Sequence, residues 1–237
     1  MRVAEFTTET RRQRKGFSFA LGVAALAAFF FTSPTSTMFA QNPPPNTDTV
    51  KKTNTRPAEP ATPQSEPFDR ASVEKMTGQC VTLDTEQGSI VIEMLPAAAP
   101  ESVRNFLNLA ATGALDTTTF SRVVKDFVIQ GGNLSTAEKW SAELAKRMAR
   151  RLPDEPSDIK HVRGIVSMAR GDEPTSATTH FFILVSNGRH LDGKFAAFGR
   201  VTRGIEVADA INRAPAEGEK PLVPVRIKQA VVVPCTK

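Results

Sequence analysis

From residue 81 onward, two short stretches alternate apolar and polar residues, Val81–Thr85 (VTLDT) and Ser89–Leu95 (SIVIEML). A period of two sends successive side chains to opposite faces of a strand, and Gln87-Gly88 supplies a turn, so the pair predicts a β-hairpin. Pro100 then opens ESVRNFLNLAATG, where the period changes. Val103, Phe106, Leu107 and Ala110 share one helical face, and Gly113 is placed to end the helix. Short strands return at Phe120–Val124 and Phe127–Gln130, closed by Gly131-Gly132, whose glycines suit a tight turn. Ser135-Thr136-Ala137-Glu138 has the spacing of a capping box. It predicts an amphipathic helix with Trp140, Leu144 and Met148 as packing residues. Further strands are predicted at Gly164–Ala169, Phe181–Val185, Phe195–Val201 and Val225–Val233, with a helix at Ile205–Ile211. Many short strands and few helices predict an antiparallel barrel or sandwich, not alternating β-α units.

The chain before residue 77 reads differently. Arg11, Arg12, Arg14 and Lys15 precede a charge-free apolar run from Phe17 to Phe31, ended by Ser33-Pro34. Residues 1–40 thus have the layout of an export signal, with Ala40 as a small residue before a cleavage point. The run is shorter than the roughly 20 residues of a spanning helix. Met38 stands where cleavage prefers a small side chain, so an uncleaved membrane anchor is the alternative. Residues 41–76 are rich in proline and threonine and poor in apolar groups, which predicts a disordered linker. Residues 77–237 form the expected globular domain, long enough to bury its own core.

Charge removes one class of partner. The formal net charge is +5, but residues 1–76 hold 10 Lys+Arg against 7 Asp+Glu, leaving 20 against 18 for the domain. The domain has no dense basic stripe, so nucleic acid is not an expected partner. The three histidines, His161, His180 and His190, lack ligand-like spacing, and no metal site is expected. His161 is expected at the surface and His180 in a groove. There is no P-loop, CxxC or Ser/His/Asp signature, nor a carboxylate pair suited to acid–base work.

Four segments carry more specific information: FSRVVKDFVIQGG (Phe120–Gly132), RGIVSMAR (Arg163–Arg170), PTSATTHFFILV (Pro174–Val185) and LDGKFAAFGRV (Leu191–Val201). In order and spacing they resemble the cyclophilin family of peptidyl-prolyl cis/trans isomerases, the third being close to the short bacterial forms. The resemblance covers about residues 79–235. It implies a mainly β fold, a closed eight-stranded antiparallel barrel capped by two helices. It further implies a substrate groove on the outer face and no cofactor or metal. By position, Arg122 matches the family's catalytic arginine. Phe127, Phe182 and Leu191 match the walls of the proline pocket, and Gln130 matches the glutamine beside the arginine. Val128, Ala169 and Arg170 match neighbouring groove positions, with His180 and Phe195 completing the expected substrate contacts. Ser121, Arg170, His180, His190 and Phe195 depart from common family residues, and Leu134–Lys160 matches the family poorly.

Each singled-out residue has a simpler reading. Phe127 and Phe182 could be core residues. Phe181 and Phe182, being adjacent, point to opposite faces of a strand, so one can fill the barrel while the other lines the groove. Gln130 has two readings of equal standing: partner of the arginine, or a strand-end residue bonding local backbone.

The expected activity is rotation about X-Pro bonds of proline-containing polypeptides and unfolded clients, assisting extracytoplasmic folding in the periplasm or outside the cell. A proline-recognising chaperone module with little turnover is the alternative. Retention of both Arg122 and Gln130 favours the enzyme. No oligomerisation surface is apparent, and a monomer is expected. The resemblance also bears on Cys80 and Cys235, the only cysteines, because the family's terminal strands lie side by side. Export would favour a disulfide between them; two free thiols are the alternative.

Overall fold

The alternating stretches do become strands. The computed structural model describes residues 65–236, in which β1 (Gln79–Thr85) and β2 (Gly88–Met94) form the first hairpin. Then follow α2 (Pro100–Ala111), β3 (Arg122–Val124), β4 (Val128–Gly131), α3 (Ala142–Ala149), β5 (Ile165–Met168), β6 (Phe181–Leu184), β7 (Ala197–Arg203) and α4 (Ile205–Asn212). A two-residue hairpin, β8 (Ala216–Glu217) and β9 (Lys220–Pro221), precedes β10 (Ile227–Pro234). A short helix, α1 (Val73–Met76), comes before them all. The expected export signal at 1–40 and most of the expected linker lie outside the described residues.

Eight strands form one antiparallel sheet in the order β10-β1-β2-β7-β5-β6-β4-β3. The sheet is open, not the closed barrel expected. Its two ends meet through one isolated bridge outside β3 and β10, Thr119 to Arg226, flanked by Phe120 N–H to the Val225 carbonyl at 2.9 Å and Ile227 N–H to the Thr118 carbonyl at 2.8 Å. The reason lies at the β3 edge, where Val123 N–H donates to the carbonyl of Glu219 on the β8–β9 hairpin (2.8 Å). That hairpin takes a place a closing ladder would need.

Among the described residues there are four α-helices, where the resemblance implied two and the periodicity three. α2 opens with Pro100, whose missing N–H costs nothing in a first turn, and it packs Val103, Phe106, Leu107 and Ala110 inward as the periodicity predicts. Gly113 follows its C-cap with φ +72°. α4 packs against β2, β3 and β4. α3 does not begin at the predicted capping box: Ser135 and Thr136 lie in a 3-10 turn, and Ser141 caps α3 by accepting from Leu144 N–H. Trp140 therefore sits before the helix and is 49% exposed, not packed.

The packed domain also begins earlier than residue 77. Ala71 and Met76 are buried and Phe68 packs against the same core, tied down by Asn108 and Arg104 of α2. A run poor in apolar residues is thus anchored by three of them. Cys80 on β1 and Cys235 just beyond β10 are joined in a disulfide with Cα atoms 5.0 Å apart. The β1–β10 ladder brings them together, and Cys235 N–H donates to the Gly78 carbonyl.

Candidate active site

Strand alternation sorts this sheet into two apolar regions. Val123, Ile129, Val166, Phe181 and Ile183 face the main core with Phe106, Phe120 and Phe198. Their neighbours Val128, Ile165, Phe182 and Leu184 face the other way and form a second cluster with Phe127, Leu191 and Phe195 at its rim.

The pairing register aligns the chemistry on that second face. Arg122 pairs with Gln130, Gln130 with Phe182, and Phe182 with Ser167, which makes one row across β3, β4, β6 and β5. Residues directly opposite one another in a ladder share a face. Arg122 Nη1 accordingly donates to Gln130 Oε1 at 3.0 Å, so of the two readings of Gln130 the structure has the arginine partner.

Three turns bring up the remaining walls. Phe127 ends the β3–β4 turn, with its N–H on the Val124 carbonyl and Asp126 in the left-handed region at φ +57°. Asn212 of α4, buried, stitches that turn by accepting from Asp126 N–H and donating to the Val124 and Val128 carbonyls at 2.9 and 3.0 Å. Leu191 ends a 3-10 turn (Arg189–Leu191) that starts from Gly188. An added Cβ at 188 would stand 3.0 Å from both Phe127 and Leu184, so glycine lets the two walls close on each other. Gly132 serves the neighbouring turn: its φ is +80°, and a Cβ would collide with the Thr179 carbonyl.

The result is a cavity of about 160 Å³ lined by Arg122, Phe127, Val128, Gln130, Ala169, Arg170, Phe182, Leu191 and Phe195. A second cavity of about 460 Å³ shares Arg122, Gln130 and Arg170 and adds His180 and Ser176. Every residue expected at the site therefore falls on one of two adjoining hollows. A larger cleft, about 690 Å³, lies beside the disulfide. It is lined by Arg203, Glu93 and Val91 among others and holds none of the row of Arg122, Gln130 and Phe182, so size alone does not mark the site.

Two arginines and a histidine set the electrostatics of the groove. Arg170 lies over the Phe195 ring, 4.7 Å from its centroid, and donates to the Gly171, Asp172 and Lys194 carbonyls. Burial pushes the His180 pKa down, which favours a neutral ring near pH 7. Arg122 Nε donates to Glu219 at 2.7 Å, and this bond holds the Glu219 carboxyl below its usual range. Behind the groove, His161 is fully buried rather than exposed. Its Nε2 is 3.0 Å from Ser167 Oγ, its Nδ1 3.3 Å from Asp192, and its N–H donates to Asp192 at 2.7 Å. Among the described residues no three His, Cys, Asp or Glu side chains gather to hold a metal ion.

The family model for cyclophilin type peptidyl-prolyl cis-trans isomerases matches residues 80–232. The chain belongs to this family. This cyclophilin is 36% identical over 141 residues to a peptidyl-prolyl cis-trans isomerase of Arabidopsis thaliana, covering 59% of the chain and 62% of that relative's length. It is 35% identical to peptidyl-prolyl cis-trans isomerase A of Dickeya dadantii, covering 66% of the chain and 83% of the relative. The crystal structure of a Cryptosporidium parvum cyclophilin in the presence of the dipeptide Ala-Pro superposes with a TM-score of 0.57 at 30% identity. That match covers 65% of this chain and 98% of the other.

Pattern reading missed Asn212, Glu219 and the His161–Asp192–Ser167 chain. Asn212 and Glu219 act across 86 and 97 residues, and the histidine chain joins a loop residue to Asp192 31 residues on and to Ser167 inside a predicted strand, so periodicity marks none of these partnerships.

Proposed function

We propose that this cyclophilin binds proline-containing polypeptides in the cavity beside Arg122 and catalyses rotation about their X-Pro bonds. The barrier to be lowered is about 18–20 kcal/mol and comes from the double-bond character of the peptide link. Rotation breaks that conjugation, and the proline nitrogen becomes pyramidal with a lone pair to offer. An N–H donor fixed over that nitrogen binds the twisted state better than either planar isomer, which is what lowers a barrier. The observation that carries this reading is the Arg122 guanidinium, turned by Gln130 over a pocket walled by Phe127, Phe182 and Leu191. The pocket would hold the pyrrolidine ring while the acyl side turns. Val128 and Phe195 would deepen it; Ala169, Arg170 and His180 would meet the residues before proline. No nucleophile or proton transfer is needed. The Ala-Pro dipeptide used with the Cryptosporidium parvum protein supports the choice of ligand.

One hydrogen bond to a charged donor contributes about 1.5–3 kcal/mol, or roughly ten- to a hundredfold in rate. Arg122→Ala should therefore lower kcat by about that factor or more, with peptide affinity nearly kept. A coupled isomerisation assay on a short Ala-Pro peptide, with affinity and thermal stability in parallel, tests it. Folded Arg122→Ala with wild-type turnover would remove the arginine from the mechanism, whereas wild-type protein that binds the peptide without turning it over would leave only a proline-recognising module.

The setting we propose is extracytoplasmic, with the protein working as a monomer on exported or unfolded clients. The basic-then-apolar layout of residues 1–40 and the Cys80–Cys235 bridge support it. Fractionation of the native host, with antibody detection, would place the protein.

A further inference from the structure

A guanidinium has five N–H donors. Among the described residues, Arg122 commits one Nη1 proton to Gln130 and Nε–H to Glu219, which leaves the other Nη1 proton and both Nη2 protons uncommitted. Gln130 was expected beside the arginine. Glu219 lies 97 residues away in sequence, on a different piece of chain.

We infer that Glu219 is a positioning residue for the isomerisation reaction: it fixes the Nε edge of Arg122 so that the free edge of the guanidinium stays aimed at the substrate. This rests on the reading of Arg122 given above. Two independent anchors place the carboxylate. The Glu219 carbonyl accepts from Val123 N–H at 2.8 Å, one residue along β3 from Arg122. The β8–β9 hairpin, paired through Ala216–Pro221 and Glu217–Lys220, turns at Gly218 with φ +59° and holds the residue from behind. β3 is an end strand of three residues. A long, flexible side chain projecting from such a strand would sample many rotamers if Gln130 were its only partner.

A carboxylate beside a cationic donor also has an opposite effect, because it dilutes the positive field that stabilises the developing lone pair. The two effects differ in sign, which makes the inference decidable. Side-chain exposures of 44% for Arg122 and 54% for Glu219 leave the pair in contact with water. Water screens the loss of field strongly. It does not restore the lost orientation. Positioning should therefore win, and removing Glu219 should slow the enzyme.

The test compares wild type, Glu219→Ala, Glu219→Gln and Arg122→Ala in the Ala-Pro peptide assay. Thermal unfolding of each variant checks that the exposed hairpin change leaves the fold intact. Glu219→Ala should lower kcat roughly three- to tenfold, the range open to a half-exposed pair, while KM stays within about twofold. Glu219→Gln still offers an acceptor oxygen and should recover more than half of the loss. A readout independent of activity is the Arg122 Nε–H resonance in proton–nitrogen NMR, assigned by its absence in Arg122→Ala. It should exchange slowly in wild type and Glu219→Gln, and broaden in Glu219→Ala. Turnover of Glu219→Ala at or above the wild-type rate, with Arg122→Ala inactive, overturns this inference alone. Glu219→Gln as slow as Glu219→Ala overturns it too, since charge and not placement would then be the cause. Wild-type turnover by Arg122→Ala removes both this inference and the reading of the arginine.

Discussion

Phe181 and Phe182 are the same residue type, adjacent on β6 and both buried, yet they belong to different regions of the molecule. Phe181 is sealed in the main core, edge-on to Phe106 at 5.1 Å and to Phe120 at 6.2 Å. Phe182 meets only Phe195 edge-on, at 6.0 Å, and its other side lines the open cavity with Arg122 and Leu191. One face of the sheet is finished by the protein itself. The other is an apolar surface left for a ligand to cover, with a cation at its edge. The difference teaches that burial alone does not separate stability from function here; what separates them is whether packing partners exist on all sides.

The sharpest way to break that comparison is to truncate each ring. Phe181→Ala should cost about 3–5 kcal/mol of stability, since a close-packed interior relaxes only partly around the void. Phe182→Ala removes the same atoms from a wall already facing a hollow. It should cost clearly less stability but weaken peptide binding severalfold. Chemical denaturation and peptide titration of both variants measure this. Equal destabilisation with unchanged peptide affinity in Phe182→Ala would mean that the second cluster is merely more core.

The next effect in size concerns the opposite end of the sheet. The Cys80–Cys235 bridge closes a sequence separation of 155 residues on the β1–β10 side, away from the row of Arg122, Gln130 and Phe182. Replacing both cysteines by serine should lower stability by about 2–4 kcal/mol, with 4–5 as the ceiling of the chain-entropy account. If the two regions are separable, kcat/KM of the folded variant should match wild type. A large change in turnover with little change in stability would contradict that.

How much of this was legible beforehand follows the same division. The hairpin, the inward face of α2 and the opposed facing of Phe181 and Phe182 follow from period alone, because alternation and helical periodicity are local. The groove residues came from linked motifs, since Arg122, Gln130 and Phe182 become one row only through strand register. What escaped depends on contacts between irregular segments. Glu219 and Asn212 reach Arg122 and the β3–β4 turn across 97 and 86 residues. Ser135 satisfied the capping-box spacing, but the chain turns there in a 3-10 turn and Ser141 starts the helix instead. The closed barrel that the motifs imply does not form, and a short hairpin meets the β3 edge instead. His161, expected at the surface, is buried for a related reason: a lone polar side chain goes inside where partners await it, here Asp192 and Ser167.

That histidine gives the smallest expected effect. The main core is held by apolar contact, whereas the groove leans on a polar chain: Gly188 N–H donates to the His161 carbonyl, and Asp192 follows directly on Leu191. Burial lowers the His161 pKa, and nearby His190 adds to this, although Asp192 pulls the other way. His180 is lowered by burial as well. Below the ordinary imidazole pKa of about 6.5, the unfolded chain takes up protons that the folded protein refuses, so stability is full above that value and declines as pH falls toward the depressed folded pKa. Asp192 is depressed too, by the backbone bond from His161. Its contribution fades only in the lower, carboxylate range, with Lys160 3.9 Å from it as a further ion partner. Between about pH 7.5 and 5 the histidines should therefore dominate the slope. The melting temperature of wild type should fall modestly over that interval, and that of His161→Gln should fall less, with His180 supplying the remainder. Any constant penalty from the substitution drops out, because only the slope is compared. Peptide affinity should weaken only at lower pH, after the melting temperature has begun to fall, because the folded groove keeps its histidines neutral until their depressed pKa is reached. Parallel slopes for the two proteins would show that His161 does not carry the acid sensitivity, and that the groove is no more dependent on polar support than the core beside it.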